Sequence, residues 1–325
     1  MSLGRSTGVT DTGRRRRRNE DSYVCEPPLF AVADGMGGAQ AGEVASRLAA
    51  AVLEEANGEQ LSEQRVVELI QEANRRVFQR SSEDAAVSGM GTTMTVALVD
   101  SADTVTIGHV GDSRAYRIRA GRLSQLTDDH SLVAELMRSG KLSPEEAEAH
   151  PQRSVITRAL GTEADVDVDT FRVEAAAGDV FLICSDGLTT MVSDDDILAA
   201  VDESGGDLDR AARRLVEAAN RSGGEDNITV VVFEIVAAGA SEIDETVLMP
   251  ASTEEPQELE DTLSGHEGVP VVDTAVISAA EVAQHLDARD GGRARGPRRR
   301  SALPFLLLAL ALAAIAVLVV WGLYR

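Results

Sequence analysis

The chain has 325 residues, 26% of them charged, and a formal net charge of −23. That length allows one large core or two domains, while so acidic a balance excludes nucleic acid as a partner, because phosphate backbones demand a positive surface. Only Cys25 and Cys184 are present, which excludes a disulfide framework and suits a reducing compartment.

In chain order, the first landmark is the five-arginine run Arg14 to Arg18, followed at once by Asn19-Glu20-Asp21. Such a run is usually a solvated basic patch, yet its place just before a strand also suits an arginine aimed at a phosphate. The apolar run from Leu29 to Ala33 has strand character and ends on Asp34, then Gly35, Gly37 and Gly38. A carboxylate at a strand end, beside glycines that let backbone carbonyls approach closely, suits a hard, oxygen-seeking cation. Residues 40–57 and 61–81 are predicted helices. In the second, Val66, Ile70, Ala73 and Val77 share one face, the mark of core packing.

Strands are expected at 91–99, 104–110 and 115–119, with the tight turn Gly111-Asp112-Ser113 between the last two. Consecutive short strands joined by tight turns pair antiparallel and need no helical crossover. Residues 127–165 form a polar insert with helical pieces at 131–139 and 144–149, read as a flap or lid. A strand at 180–184 runs into Ser185-Asp186-Gly187, and helices follow at 194–202 and 207–221. Gly223-Gly224-Glu225-Asp226-Asn227 then opens a last strand, 228–236.

Beyond it the pattern changes. Residues 238–292 hold thirteen acids and one arginine among scattered Pro, Gly, Ser and Thr, and read as a disordered tether. From Ser301 to Tyr324 there is no charge, and at about 1.5 Å per residue this run crosses a hydrocarbon layer of roughly 30 Å. Five arginines (Arg293, Arg295, Arg298, Arg299, Arg300) precede it and Arg325 follows, so the upstream side is expected in the cytoplasm. Met1 to Arg18 carries no apolar signal segment. The expected layout is a globular domain at 1–237, an acidic linker at 238–301 ending in a basic juxtamembrane stretch, and a transmembrane helix at 302–324. The protein is then single-pass in the cell membrane, with its catalytic domain cytoplasmic.

Four carboxylates stand beside glycine at strand ends: Asp34, Asp112, Asp186 and Asp226, with Glu20-Asp21 near the first strand. If these ends share one mouth, the acids repel one another unless cations lie between them. Two divalent ions would satisfy them, and an all-oxygen ligand set favours Mn²⁺ or Mg²⁺ over Zn²⁺.

Six motifs stand in order: Arg16-x-x-Asn19-Glu20-Asp21, Ala33-Asp34-Gly35-Met36-Gly37-Gly38, Gly89-Met90-Gly91-Thr92-Thr93, Val110-Gly111-Asp112-Ser113-Arg114, Cys184-Ser185-Asp186-Gly187-Leu188 and Glu225-Asp226-Asn227-Ile228-Thr229. Together they resemble the metal-dependent protein phosphatases, the type 2C serine/threonine family, through residues 8–236. The layout is similar to that of membrane-tethered bacterial members which oppose transmembrane serine/threonine kinases. The resemblance implies an α+β fold, a central antiparallel β-sandwich flanked by helices. It implies that Asp34 bridges two cations, Mn²⁺ or Mg²⁺, that Gly35 lends its carbonyl, and that Asp186 and Asp226 complete the set. Glu20 reaches a metal through water, Asp112 supports a weaker third metal, and Arg16 holds the phosphate. The substrates implied are phosphorylated proteins, among them transmembrane kinases and their targets. Animal members carry a histidine two residues after the bridging Asp; here that place is Met36, so the leaving group's proton is expected from a metal-bound water. His109 and His130 fall outside the motifs and read as structural.

Rival chemistries lack their signatures. A cysteine phosphatase needs arginine at the spacing where Thr190 follows Cys184, and the acidic string at 165–169 lacks the glycine and glutamate of a calcium loop.

Overall fold

The computed structural model describes residues 1–37, 41–100, 103–237 and 275–276. In chain order it has β1 (Ser2–Asp11), β2 (Asp21–Glu26), β3 (Leu29–Met36), α1 (Ala41–Glu55) and α2 (Glu63–Glu83). Then come β4 (Gly91–Thr92), β5 (Met94–Val99), β6 (Thr104–Val110), β7 (Arg114–Arg119) and β8 (Arg122–Gln125). The inserted segment holds α3 (Leu132–Arg138), α4 (Pro144–Glu148) and β9 (Val155–Ile156). The rest is β10 (Asp169–Glu174), β11 (Val180–Cys184), α5 (Asp186–Thr189), α6 (Asp194–Asp202), α7 (Leu208–Arg221), β12 (Ile228–Val236) and β13 (Ala275–Val276).

Two antiparallel sheets carry the fold. One runs β1-β12-β11-β7-β8 and the other β10-β6-β5-β3-β2, with β4 paired to β3. Side chains alternate along a strand, and here both faces of the central strands are covered. Phe30 and Val32 of β3 meet Phe181 and Ile183 of β11 and Val231 and Phe233 of β12 between the sheets. The Phe233 ring stacks on Phe30 at 4.2 Å and on Phe181 at 5.1 Å. The alternate residues turn outward to helices: Leu29 and Ala31 pack under α1 and α2, while Leu182, Val230 and Val232 pack under α6 and α7. The layers are therefore helix, sheet, sheet, helix.

The helices begin where the sequence supplies a side-chain acceptor. Ser62 accepts from the Arg65 N–H at the start of α2, Ser193 from Asp196 before α6, and Asp207 from Arg210 before α7. Three acids, Asp194, Asp195 and Asp196, occupy the first turn of α6, where they complement the helix dipole.

The elements that sequence periodicity did not reveal are edge strands. β1 reads Ser-Leu-Gly-Arg-Ser-Thr-Gly-Val-Thr-Asp and pairs only with β12, its polar residues half exposed. β8 and β10 end their sheets in the same way. The inserted segment is also more packed than its polar composition suggests, with Leu132, Leu136, Ile156 and Leu160 all buried. Within the acidic stretch read as structureless, Ala275–Val276 forms a strand alongside β9.

Among the described residues no helix is long and apolar enough to cross a membrane. The expected span at 302–324, the basic stretch before it and the remainder of the acidic linker lie outside the described residues.

Candidate metal centre

Five aspartates arrive at one end of the sandwich from different strands. Register places Asp21 of β2 directly across from Asp34 of β3. Asp186 follows β11 as the first residue of α5, Asp226 stands two residues before β12, and Asp112 lies in the turn from β6 to β7. Asp21 and Asp112 are buried, while Asp34 and Asp186 keep part of their surface open to the mouth.

Their protonation records the crowding. Burial pushes the Asp34 carboxyl well above the usual range, and the charges of Asp21, Asp186, Asp226 and Asp112 push it further. Burial raises Asp186 to about 6, helped by Asp226 and opposed by a hydrogen bond with Asp34. Asp21 is lifted to about 7, again by burial first, although Thr229 and Ser185 donate hydrogen bonds that hold it down. Asp112 is raised by burial and then by Asp186 and Asp129. Carboxylates at this density need protons or cations between them.

The motif residues around the acids are scaffolding. The Thr93 hydroxyl accepts from the Asp34 N–H at 3.0 Å, and the Thr93 N–H and Thr92 hydroxyl both donate to the Asp34 carbonyl at 2.9 Å. Thr93 Oγ1 and Ser113 Oγ lie 2.7 Å apart, which ties the Asp34 turn to the turn bearing Asp112. A Cβ on Gly35 would stand 2.1 Å from the Gly42 carbonyl oxygen, so only glycine lets α1 close over this strand end. Gly187 is bound in the same way against the Asn227 carbonyl, at 2.0 Å.

Asn227 fastens the arginine run to this frame. Its amide donates to the Thr12 and Arg18 carbonyls, both at 2.9 Å, and its oxygen accepts from the Glu20 N–H at 2.8 Å. The Glu20 carbonyl in turn accepts from the Gly35 N–H at 3.2 Å and from the Ser46 hydroxyl at 2.6 Å. Arg16 thereby reaches the cluster, and its guanidinium pairs with Asp226 at 2.8 Å, both side chains mostly buried. The arginine of the Asp112 motif, Arg114, turns away and pairs with Asp129 at 2.7 Å.

The sequence-predicted residues Asp34, Asp112, Asp186, Asp226 and Arg16 are thus brought to one place, and main-chain contacts set Glu20 and Gly35 beside them. The sequence names Asp21 with Glu20 among the converging acids and gives it no ligand role; the structure sets its carboxyl in the cluster, on β2 directly across from Asp34. Among the described residues no three acidic, histidine or cysteine side chains are placed so that they could hold a metal ion. Two of the carboxyls are engaged by protein partners: Asp226 faces Arg16, and Asp21 accepts from Ser185 at 2.9 Å and Thr229 at 2.6 Å.

His109 and His130 are structural, as expected. Their rings lie 4.7 Å apart, and burial drives both down to about 4. His130 Nδ1 accepts from the Gly111 N–H at 3.0 Å, which leaves its Nε2–H for Asp169 at 3.1 Å. Cys184 is wholly buried and pushed up to about 12, so it has no nucleophilic role at neutral pH.

Comparison with known proteins agrees in extent with this frame. The family model described as protein phosphatase 2C matches residues 15–227. The serine/threonine phosphatase stp of Listeria welshimeri is 43% identical over 240 residues, 69% of this chain and 93% of that protein. The crystal structure of the Mycobacterium tuberculosis serine/threonine phosphatase PstP/Ppp superposes with a TM-score of 0.67 at 39% identity, over 73% of this chain and all of that one. A crystal structure of the PstP catalytic domain in complex with two manganese ions gives 0.67 at 37% identity, over 72% of this chain and 99% of that one.

Proposed function

The chain belongs to the protein phosphatase 2C family, and from that membership we propose that its aspartate cluster hydrolyses phosphoserine and phosphothreonine in proteins with the help of two divalent cations. The chain is a metal-dependent protein serine/threonine phosphatase by kinship. The observation that carries the site assignment is the arrival of Asp21, Asp34, Asp112, Asp186 and Asp226 at one sandwich end from separate strands and turns, three of them with a buried carboxylate oxygen that has no hydrogen-bond partner.

The donors fit Mn²⁺ or Mg²⁺. All are hard oxygens, and Asp21 Oδ1, Asp112 Oδ1 and Asp186 Oδ1 are buried without a hydrogen-bond partner. Such atoms are costly unless a cation or proton satisfies them. When bound, the cations supply a water made nucleophilic near neutral pH and positive charge for the phosphoryl oxygens.

Each chain residue then has a stated task. Asp34 would serve both cations, with the Gly35 carbonyl, Asp186 and Asp226 as their other ligands. Glu20 would act through water, and Asp112 would hold a weaker third ion. Arg16 exchanges its carboxylate partner for the phosphate and takes up charge on the equatorial oxygens, a task that suits a planar, always-charged donor. The hydroxyls of Thr93, Ser185 and Thr229 keep the acids oriented. Asp21, held by Ser185 and Thr229, stands across from Asp34.

Localisation belongs to the same proposal. The domain of residues 1–237 faces the cytoplasm, the linker 238–301 tethers it, and 302–324 spans the membrane, setting it opposite transmembrane serine/threonine kinases and their substrates. Support comes from the charge-free run at 301–324 and the arginines before it. Release of the protein from membranes by alkaline carbonate would reject the span.

The site is tested by Asp34→Asn and Asp226→Asn, assayed for Mn²⁺-dependent phosphate release from a phosphothreonine peptide. Each should lose at least about a hundredfold in rate. Turnover equal to that of the unsubstituted chain would reject the assignment.

A further inference from the structure

β9 has a partner on each edge. On the inner side Ser131 bridges Ile156 antiparallel, and the Thr157 N–H donates to the His130 carbonyl at 2.8 Å. A few residues on, Leu160 exchanges backbone hydrogen bonds with Thr92, at 3.1 and 2.9 Å, and the Thr92 hydroxyl holds the Asp34 carbonyl. Ile156 also packs with Met36, the neighbour of Gly35. On the outer side, Ala275 and Val276 run parallel to β9, Ala275 opposite Val155 and Val276 opposite Ile156.

We propose that the outer edge of β9 is a docking site for an extended polypeptide strand, and that the chain's own segment around Ala275–Val276 is its resident occupant, held in cis. A strand edge offers unpaired N–H and C=O groups, and an extended peptide that pairs with it gains main-chain hydrogen bonds. Two residue pairs bind weakly between separate molecules. Tethering changes this: β12 ends at Val236, so 38 residues (237–274) separate β12 from β13, and pairing within one chain takes place at an effective concentration set by that tether, with no second molecule to capture.

The sequence fits the occupant. Val269-Pro-Val-Val-Asp-Thr-Ala-Val-Ile277 is the segment of the acidic stretch richest in Val and Ile, the residues that suit a strand. Because the segment that continues from β9 reaches the Asp34 strand end through Leu160 and Thr92, a tail docked on β9 covers the segment beside the site, and any other extended polypeptide must displace it.

The test uses the full chain and Ala275→Pro/Val276→Pro, a double substitution that removes two amide donors outside the phosphatase core. Hydrogen exchange over residues 154–158 should quicken at least about tenfold, with β11 and β12 unchanged. A labelled peptide of residues 269–279 should bind the double variant at least about tenfold more tightly than the unsubstituted chain, whose edge is already taken. Unchanged exchange at 154–158 overturns the resident occupant. Faster exchange with no peptide binding overturns the docking edge. Neither readout involves phosphate release, so either failure is distinct from a failure of the phosphatase reading.

Discussion

The aspartate cluster makes the ion-free fold sensitive to pH in a direction that can be worked out. Asp186 sits at about 6 and Asp21 at about 7 in the folded chain, against an ordinary value of 3.8. Between those limits the fold keeps protons that the unfolded chain releases. The contribution of these groups to stability is therefore complete below about pH 4 and is lost as pH rises through the folded values. Each retained proton removes about 1.4 kcal/mol per pH unit, so Asp186 alone accounts for on the order of 3 kcal/mol by pH 6. For a domain of this size that is roughly 6–12 °C in melting temperature. Thermal unfolding in EDTA should thus fall steadily from about pH 5 to about pH 7. Added Mn²⁺, by replacing protons, should restore the loss at neutral pH, and Asp186→Asn should flatten the apo profile. A flat or rising apo profile, or a neutral-pH melting temperature indifferent to Mn²⁺, would refute the reasoning.

Three further outcomes follow from the same geometry. Thr93→Val removes the hydroxyl that orients both the Asp34 N–H and Ser113. It should cost about 1–3 kcal/mol in urea unfolding and on the order of a hundredfold in kcat/KM. Arg16→Ala frees Asp226 from its ion pair, so phosphopeptide kcat/KM should fall at least about tenfold while the Mn²⁺ concentration for half-maximal rate falls too; a rise in both would separate Arg16 from Asp226. Phe233→Ala opens the stack between the sheets and should cost about 3–5 kcal/mol, read from urea midpoints, with one cooperative transition.

Much of this fold was legible because the central strands are covered on both faces. Residues 104–110, 180–184 and 228–236 read as strands at their observed bounds, since every second side chain enters the sandwich and the rest meet helices. The helix face of Val66, Ile70, Ala73 and Val77 was legible for the same reason. β1 was not. An edge strand needs little apolar surface, so Ser2 to Asp11 looks like an unstructured leader, and its pairing with β12 is a long-range fact that no local window contains. The site divides in the same way. Asp34, Asp112, Asp186 and Asp226 were legible because glycine marks each turn, whereas Asp21 has no glycine beside it and enters the cluster through cross-strand register. The pairing of Arg16 with Asp226 joins chain positions 210 residues apart, and the Asn227 staple together with the Gly224 carbonyl, which accepts from the Arg14 and Arg15 N–H groups, explains how the arginine run comes to lie there. The β13 strand, two residues in an acidic stretch, carries too little pattern to be read before its partner is known.

The central claim, that acids distant in sequence jointly hold two divalent cations, is met most directly by titrating the full chain with Mn²⁺ in a calorimeter. The account predicts two tightly held ions per chain, displaced protons at neutral pH, and a fall to one ion or none in Asp34→Asn. Binding of no ion, or a stoichiometry of two left intact by that substitution, would contradict it.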